Sequence, residues 1–498
     1  MNVVVFSAYA INSPHFEAEL DIAHGHADAG DSVTILTCGG ELAACEPNPF
    51  HDLPRCAKCI GRQNAGVALL PPSIVVEPFY RLTADDRREL EELPSRFESQ
   101  EELKSLRVGE FDLGFAALSS LISKVREPRV DLAAHESLLR GFLRAAWTVH
   151  RSMLHYLDTH AVDRVYVYNG RLAPLRAVLR ACQERSVECY THERGRDPTR
   201  YVLLRNSTIH DIGLVNELIW ETWNAPDAES EREKIARDWY ETRARGQDEK
   251  SHVAGQDRKR LPVDWDGNKR NIAVFVSSED EVAAISDAWR NPLYETQIAG
   301  LQAIVESLRN DPREIHLNIR AHPFLSLVDN AQTRELDKLD APFVTVIPAA
   351  DPVDTYELMR RSVSVLTFGS TAGIEAVYWG IPSILAGMTH YREMGVTYNP
   401  ASHDELIQML YKDLEPTPIE PTLAYGYFWP TFGVPYRYFT PDGYYKGRFK
   451  GVRVRPSFSA QARIAMLRVL HPRRAVRHVK RTVDKRWRIL RNKIRRGV

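Results

Sequence analysis

No stretch of this 498-residue sequence is apolar over about 18 consecutive positions, so we expect no membrane-spanning helix. The G-x-G-x-x-G fingerprint is missing from the β-α-β pattern of residues 2–37, and nothing there indicates a dinucleotide. The first six residues are too short and too poor in basic side chains for a secretory signal. These absences favour a cytoplasmic protein, and no internal repeat is seen beyond two α/β halves.

Cysteine is also scarce, with six residues in the whole chain. Four of them lie close together in the N-terminal part, and the last two form a C-x-x-C pair: Cys38, Cys45, Cys56 and Cys59. Without a secretory signal, metal binding or simple burial is expected before disulfides. The four thiolates either hold a structural zinc ion, or they are buried thiols that are inert or redox-labile.

Net charge is nearly absent as well, at −1, but this value hides a strong asymmetry. Residues 460–498 contain 14 Lys or Arg and one acid, Asp484, so the tail is strongly basic and the rest of the chain is acidic. Residues 475–496 also place one apolar stripe at helical spacing: Val476, Val479, Val483, Trp487, Leu490 and Ile494. The pattern predicts a helix that lies on an anionic membrane surface. The alternatives are a helix packed on the acidic body and, less expected, a nucleic-acid-binding tail.

The most informative stretch of the chain is residues 314–387. Short β-branched runs alternate there with segments of helical period, which is typical of parallel strands joined by crossover helices. Polar motifs follow two of these strands, Arg320-Ala-His322-Pro323 and Gly369-Ser-Thr-Ala-Gly. Ligands of open α/β sheets bind outside the carboxyl ends of strands, so we expect half of a nucleotide-binding site here.

The residue types of this stretch suit a phosphate and a ribose. The hydroxyl groups of Ser370 and Thr371, with the first N–H groups of the following helix, can bind phosphate, although the same turn is also a plain helix cap. Glu375 can accept from ribose hydroxyls, or it simply complements the helix dipole. His322, held in extended backbone by Pro323, can donate to a phosphate or protonate a leaving group.

The N-terminal half carries the candidates for a general base. Glu193 follows a predicted strand and His15 opens a predicted helix, so we expect both to face the same cleft. Such a group is needed to take the proton from an attacking sugar hydroxyl. Glu193 is instead structural if it pairs with Arg194 or Arg171. Asn169 and Arg171 follow another strand and are predicted to lie on the acceptor side.

At these motifs the chain resembles the capsule and surface polysaccharide biosynthesis proteins, glycosyltransferases of GT-B architecture. The resemblance covers about residues 1–390 and rests on the order of short motifs, which are Asn169-Gly-Arg171, His192-Glu-Arg-Gly195, Ser277-Ser278 with Asp280-Glu281, His322-Pro323 and Ser370-Thr-Ala-Gly-Ile-Glu375 with Gly380-Ile-Pro382.

The His-Pro and Ser-Thr motifs are similar to those of bacterial sialyltransferases and Kdo transferases, which use CMP-sugars. That likeness implies the base role for Glu193, although the motif here is Glu-Arg-Gly rather than two acids and a glycine. UDP- and GDP-sugar enzymes share the Gly-Ser-Thr pattern, as does the UDP-sugar 2-epimerase fold. The base of the donor therefore stays open between CMP, UDP and GDP.

The expected fold is α/β, with two facing Rossmann-like lobes of GT-B type and a basic helical tail. The predicted domains are an acceptor-side lobe, a charged helical linker, a nucleotide-sugar lobe, an extension rich in aromatic residues, Pro and Gly, and the basic tail, at residues 1–215, 216–269, 270–398, 399–456 and 457–498. Ser277 and Ser278 join Arg320, His322 and Gly369 in the predicted donor site.

The predicted function is metal-independent transfer of a sugar from a nucleotide-sugar donor to a polysaccharide or lipid-linked acceptor. No cofactor is expected for catalysis. We expect the protein in the cytoplasm, at the inner face of the plasma membrane. The alternatives are a UDP-sugar 2-epimerase-like enzyme and a non-catalytic, membrane-attached assembly protein.

Overall fold

The computed structural model describes residues 1–226, 231–248, 253–309 and 315–470. The predicted amphipathic helix of residues 475–496 lies outside these ranges. Among the helices of the described ranges, none is both long enough and apolar enough to cross a membrane.

Strands form where short runs of Val, Ile, Leu, Thr and Tyr occur, because β-branched and aromatic side chains fit a pleated surface. In chain order the strands are β1 (Asn2–Ser7), β2 (Ser32–Thr37), β3 (Val75–Pro78), β4 (Arg164–Tyr168), β5 (Glu188–Arg194), β6 (Arg200–Arg205), β7 (Arg270–Phe275), β8 (Ile315–Arg320), β9 (Val344–Ile347), β10 (Ser364–Thr367), β11 (Ser383–Leu385), β12 (Val434–Pro435), β13 (Phe439–Gly443) and β14 (Lys446–Phe449).

Helices occupy most of the chain between the strands, and several begin at a side-chain cap, such as Asp211 before α8 and Ser402 before α14. In chain order they are α1 (His15–Asp28), α2 (Leu53–Val67), α3 (Ala84–Glu92), α4 (Gln100–Ser105), α5 (Leu113–Val125), α6 (Glu136–Thr159), α7 (Ala173–Glu184), α8 (Ile212–Asn224), α9 (Arg232–Ala244), α10 (Gln297–Arg309), α11 (Ala331–Leu336), α12 (Thr355–Arg361), α13 (Ala372–Tyr378), α14 (His403–Tyr411), α15 (Glu420–Thr431) and α16 (Phe458–Leu470).

The chain divides into two compact units. Of the described residues, the first unit contains Met1–Val125, Val130–Ile209 and residues 432–470. The second unit contains Arg126–Arg129 and His210–Thr431. Each unit is built around one largely parallel sheet, so the predicted α/β class is confirmed.

The sheet of the first unit has seven strands in the order β12-β6-β5-β4-β1-β2-β3. Strands β1 to β5 run parallel, and β6 and β12 are antiparallel to their neighbours. The chain extends the sheet from β1 through β2 to β3, and then returns to place β4 on the other side of β1. The strand order therefore reverses between β1 and β4.

The sheet of the second unit has five strands, all parallel, in the order β11-β10-β7-β8-β9. Alternate residues of β7 pack into two different cores. Ile272 and Val274 belong to one core, and Ala273 and Phe275 belong to the other. This explains why β7 reads as a continuous apolar run, since a strand covered on both faces needs no polar side. The strand order of this sheet reverses between β7 and β10.

The units are divided differently from the predicted domains. The predicted linker of residues 216–269 carries most of α8 and all of α9, which belong to the second unit because they pack on α15. Tyr240 in α9 donates a hydrogen bond of 2.7 Å to the carbonyl of Thr422. Charged outer faces made these helices read as a linker.

Residues 425–450, in the extension rich in aromatic residues, Pro and Gly, form the end of α15, the short strand β12 and the hairpin β13–β14. Phe439 and Phe449 of the hairpin are buried against Phe16 and Leu20 of α1 in the first unit. Strand β12 pairs with β6 at the edge of the sheet. The density of aromatic residues therefore reflects a core contact at the end of the chain.

Candidate functional site

The polar motifs of the second unit lie at the point where its strand order reverses. Ser277 follows β7, His322 follows β8, and the turn Gly369–Thr371 follows β10. Because β10, β7 and β8 are neighbours and parallel, their carboxyl ends share one edge of the sheet. The sequence predicted each strand end, and the topology brings the three together at the place where open α/β sheets bind ligands.

Thr367, the last residue of β10, builds the turn after that strand. Its hydroxyl accepts from the backbone N–H groups of Gly369 at 3.3 Å and Ser370 at 2.9 Å, and donates to the carbonyl of Phe275 at 3.0 Å. The hydroxyl of Ser370 accepts from the N–H of Ala372 at 3.3 Å. Two N–H groups of the turn are thus held by Thr367, a residue that the sequence analysis read only as part of a buried strand.

Gly369 is required by the shape of this turn. Its φ of +125° is in the region that favours glycine, and a Cβ atom at this position would lie 2.7 Å from the carbonyl oxygen of Met388. The same Cβ would lie 3.7 Å from the hydroxyl oxygen of Ser277. The turn therefore lies close to both Met388 and Ser277.

Arg320 and His322 lie on the next strand end. Arg320 is only 4% exposed, and its Nη2 donates to the carbonyl of Asp351 at 2.9 Å, whereas Nη1 has no hydrogen-bond acceptor within the described ranges. Burial lowers the pKa of Arg320 to about 10, against the charges of Asp351 and Asp354, so the guanidinium stays charged at neutral pH. The site therefore holds a buried guanidinium whose Nη1 makes no hydrogen bond within the described ranges.

The ring of His322 is oriented by the backbone that follows it. Its Nδ1 accepts from the N–H of Phe324 at 3.2 Å, and the ring lies 5.1 Å from that of Phe324. In the neutral imidazole the proton is therefore on Nε2, which makes His322 a hydrogen-bond donor through Nε2.

The two serines after β7 have different surroundings. Ser278 donates to Asp280 at 2.6 Å, and Asp280 also pairs with Arg126, so Ser278 belongs to a structural network. The backbone of Ser277 is fixed by two glutamines, Gln297 and Gln332, at 2.9 and 2.6 Å. The Ser277 hydroxyl is buried and, among the residues that the structure describes, has no hydrogen-bond partner.

Glu375, the predicted ribose ligand, lies in a buried ion pair. Its Oε1 accepts from Nη2 of Arg243 at 2.8 Å, and its Oε2 accepts from the hydroxyl of Tyr356. Arg243 comes from α9 and also pairs with Asp248 at 2.9 Å. The contact with a ribose stays a prediction, and the geometry gives Glu375 the task of anchoring α13 to α9 and α12.

In the first unit, the two predicted bases form one pair. His15 is the first residue of α1, after β1, and its Nδ1 lies 3.5 Å from Oε1 of Glu193 on β5. Asn169 donates to the other oxygen of Glu193 at 3.0 Å, and the ring of His15 is 4.1 Å from the ring of Tyr168. The carboxylate thus lies within ion-pair distance of the imidazole, and the pair lies where the strand order reverses between β1 and β4.

The predicted acceptor residues Asn169 and Arg171 support this pair. Asn169 has a φ of +62°, and its side-chain oxygen accepts from the N–H of Arg171 at 3.1 Å while its NH₂ group reaches Glu193. The left-handed backbone after β4 thus turns the Asn169 amide toward the base. Of the expected partners, Arg194 contacts Glu193 through its backbone N–H, at 3.1 Å.

Three groups around this pair were missed by the sequence analysis. Burial, and then the charge of Glu193, hold the pKa of the Tyr168 hydroxyl well above its ordinary value. Burial also raises the pKa of Glu46, which accepts from Ser123 at 2.9 Å. The position of Tyr168 directly before Asn169 was a signal for it, whereas nothing in the sequence singled out Glu46.

The third missed group is the turn of the β13–β14 hairpin. Tyr444 and Tyr445 lie over Arg194, with their ring centres 3.9 and 4.4 Å from its guanidinium carbon. Cation–π contacts of this kind hold the arginine at the end of β5. The hairpin therefore borders the candidate base in the first unit, although it is some 250 residues away in sequence.

The four N-terminal cysteines lie near one another, but they do not form a metal centre in the described residues, where no group of three or more His, Cys, Asp or Glu side chains could hold an ion. All six cysteines are free. Burial raises the pKa of each of the four, for Cys59 to about 12, so they are neutral thiols. The structural zinc and the buried, metal-free thiols both stay predictions.

Residues 288–413 match the family model described as capsule polysaccharide biosynthesis protein. This segment contains β8, β10, the turn Gly369–Thr371 and the ion pair partner Glu375. No curated protein matches the chain.

Among solved structures, two similar chains are KpsC transferases of Thermosulfurimonas dismutans. The beta Kdo 2,4 transferase is 13% identical, with 61% of this chain and 87% of that chain covered and a TM-score of 0.35. The beta Kdo 2,7 transferase is 18% identical, with 64% and 88% covered and a TM-score of 0.33. The UDP-GlcNAc 2-epimerase of Methanocaldococcus jannaschii is 10% identical, with 85% and 98% covered and a TM-score of 0.25.

TM-scores this low do not support an inference about activity. The family match does not depend on these structures. It covers the part of the second unit where most of the polar strand ends lie. Over residues 288–413 the chain is similar to the capsule polysaccharide biosynthesis proteins, and the predicted resemblance is confirmed there.

Proposed function

We propose that this protein is a glycosyltransferase of surface polysaccharide synthesis, which moves a sugar from a nucleotide-sugar donor to a polysaccharide or lipid-linked acceptor. The observation that carries the proposal is the convergence of Ser277, Arg320, His322 and the Gly369–Thr371 turn at one sheet edge. That edge lies largely in the segment similar to capsule polysaccharide biosynthesis proteins.

The donor phosphates are assigned to the second unit. Arg320 supplies a buried positive charge, His322 a hydrogen-bond donor through Nε2, and Ser277 a hydroxyl without a protein partner in the described ranges. Charge-assisted hydrogen bonds to phosphate are among the stronger polar contacts in proteins. We propose that these groups stabilise the leaving nucleotide without a metal ion.

The proton transfer is assigned to the first unit. His15 takes the proton of the acceptor hydroxyl as that oxygen bonds to the anomeric carbon, and the bond from the anomeric carbon to the phosphate oxygen breaks with its electron pair going to the nucleotide. Glu193 stabilises the imidazolium that forms, because its carboxylate is 3.5 Å from Nδ1. The proposal places this reaction in the cytoplasm, at the inner face of the plasma membrane.

A thermal-shift screen with CMP, UDP, GDP and their sugar conjugates tests donor binding. A ligand that binds only the folded protein adds RT ln(1 + [L]/Kd), roughly 2.7 kcal/mol at a hundredfold excess over Kd. We expect one nucleotide class to raise the melting temperature of the wild type, with loss of the effect in His322→Ala and Ser277→Ala. Ser307→Ala, whose hydroxyl contacts His403 in the same unit, is the matched control.

Two outcomes contradict the proposal. If no nucleotide shifts the melting temperature, the chain is better explained as a non-catalytic assembly protein. If a nucleotide sugar is converted with no acceptor present, the chemistry is epimerisation rather than transfer.

A further inference from the structure

Helix α16, near the end of the described chain, has two apolar faces. One attaches the helix to the first unit, and no part of the described structure covers the other. Phe458, Val469 and Met466 are 89%, 76% and 55% exposed, and Leu470 is 62% exposed. Single exposed apolar residues are ordinary on protein surfaces, but a group of large ones on one 13-residue helix is not.

The first apolar face of α16 attaches the helix to the first unit. Ile464 is its one buried residue, and Ala460, one turn before it, lies against Gly61 of α2. A Cβ atom on Gly61 would be 3.0 Å from the Cβ of Ala460, so the two helices are in close contact there. A narrow contact of small residues holds α16 and leaves most of its circumference exposed.

The exposed apolar residues point away from that contact. Successive residues of an α-helix are rotated by about 100°, which places Phe458, Val469 and Met466 between about 120° and 200° from Ile464. Ala462 is exposed within the same sector. The helix therefore has an apolar stripe on the side opposite its docking face.

The charge around this stripe has one sign. From Gly443 to the end of the chain there are 19 Lys or Arg residues and one acid, Asp484. Arg463, about 60° beyond one edge of the stripe, and Arg455, just before α16, are both exposed. An apolar stripe with basic side chains beside it complements an anionic lipid surface, where the stripe enters the headgroup boundary and the cations meet the lipid phosphates.

We infer that the exposed face of α16, formed by Phe458, Met466 and Val469, is a docking surface for an anionic membrane. This inference rests on the proposed location at the membrane and names the surface that contacts the lipid, and it requires neither a nucleotide nor a sugar. It adds a described apolar element to the basic C-terminal sequence.

Co-sedimentation of the full-length protein with lipid vesicles tests the inference. We expect binding to vesicles of phosphatidylglycerol and phosphatidylcholine, and little binding to pure phosphatidylcholine. In the variant Phe458→Ser/Met466→Ser/Val469→Ser, binding to anionic vesicles should weaken by about a hundredfold, since three large apolar contacts with the membrane are lost.

A matched control replaces three exposed apolar side chains that lie outside α16. Val75, Val263 and Val363 are 55%, 99% and 42% exposed, and the triple change of these residues to Ser should leave vesicle binding unchanged. Both variants replace exposed side chains, so their melting temperatures should stay close to that of the wild type.

A second readout follows the helix itself. The emission that Phe458→Trp adds is obtained by subtracting the wild-type spectrum. This added emission should shift to shorter wavelength with anionic vesicles, and lipids brominated on their acyl chains should quench it. Wild-type binding by the α16 triple variant, equal binding to neutral vesicles, or no blue shift in Phe458→Trp would each overturn the inference.

Discussion

The two units have the same architecture at the sheet edges that carry the candidate sites, but the side chains there differ in their chemistry. In each sheet the polar residues lie where the strand order reverses, beside β1 and β4 in the first unit and beside β7 and β10 in the second. The second unit presents a buried arginine, a histidine donor and a turn held by Thr367. The first unit presents an imidazole and a carboxylate 3.5 Å apart.

One fold can thus be divided between binding and proton transfer. A buried arginine, a histidine N–H and a serine hydroxyl beside one turn suit an anion, which is the more strongly bound the more donors it meets. A histidine beside a carboxylate suits a proton, because the carboxylate stabilises the charge that the histidine acquires. The edge of the sheet is the same, and the side chains that follow each strand decide what it does.

The largest expected effect is on turnover and comes from the first unit. His15→Ala and Glu193→Gln should each lower the rate of sugar transfer by about 10²–10⁴-fold, the usual range for loss of a general base. Nucleotide binding, measured by thermal shift, should be unchanged. Glu188→Gln, the same chemical change at the other end of β5, is the control and should keep most of the activity. Loss of nucleotide binding in Glu193→Gln would break the division between the units.

The next largest effect is on the stability of the second unit. Glu375→Gln removes one of the two carboxylates that pair with the buried Arg243 and leaves Asp248 as the other, which should cost about 3 kcal/mol of unfolding free energy in urea titrations. Glu357→Gln on α12 removes a pair with the exposed Arg361 and should cost less than about 1 kcal/mol. Equal losses in both variants would show that the Arg243 pair is not a special anchor.

A smaller effect tests the shape of the turn in the second unit. Gly369→Ala should cost about 1–3 kcal/mol, because it adds strain at positive φ and a clash with the carbonyl of Met388. Gly380→Ala has a φ of +75° but nothing within 4 Å of the added Cβ, so it should cost about 1 kcal/mol. Nucleotide binding should fall in the first variant and persist in the second, as measured by calorimetry.

The last effect is a loss of folding stability at alkaline pH. It concerns the first unit, which contains all six cysteines. Burial raises the pKa of Cys59 to about 12. Since this is above the unfolded value, the stability contributed by the neutral thiol is complete below about pH 9 and is lost as pH rises toward 12. Cys59 alone should contribute about 2 kcal/mol to the loss of stability between pH 8 and pH 10.5, and Cys59→Ala should remove that contribution.

Slow reaction of the four N-terminal thiols with Ellman's reagent before unfolding would agree with this account. Stoichiometric zinc in the purified protein, released together with the thiols, would contradict it.

The strand ends of the second unit were predictable because buried parallel strands read as apolar runs that stop at polar residues. His322 and Gly369 were placed correctly on that basis. The order of the strands was not predictable, since nothing local to β10 says that it pairs with β7 rather than with β9. The adjacency of Ser277 and Gly369 depends on that order.

Other features escaped because their partners are far away in sequence. Glu375 read as a free first-turn carboxylate, since Arg243 lies 132 residues earlier in a charged segment. Thr367 read as a strand former, and its hydroxyl acts only once the turn has closed around it. The tyrosines over Arg194 come from a hairpin whose strands are too short and too rich in Gly and Pro to be recognised.

The division of the chain also sets an order of events during synthesis on the ribosome. Residues 432–470 complete the described part of the first unit, where the carboxylate of Asp21 accepts from the backbone N–H groups of Arg437, Tyr438 and Phe439 at 2.7–3.2 Å. Until those residues emerge, a nascent chain has a nearly buried carboxylate without its donors and an aromatic core without Phe439. The second unit, complete at Thr431, should therefore become protease-resistant first, which pulse proteolysis of stalled nascent chains would show.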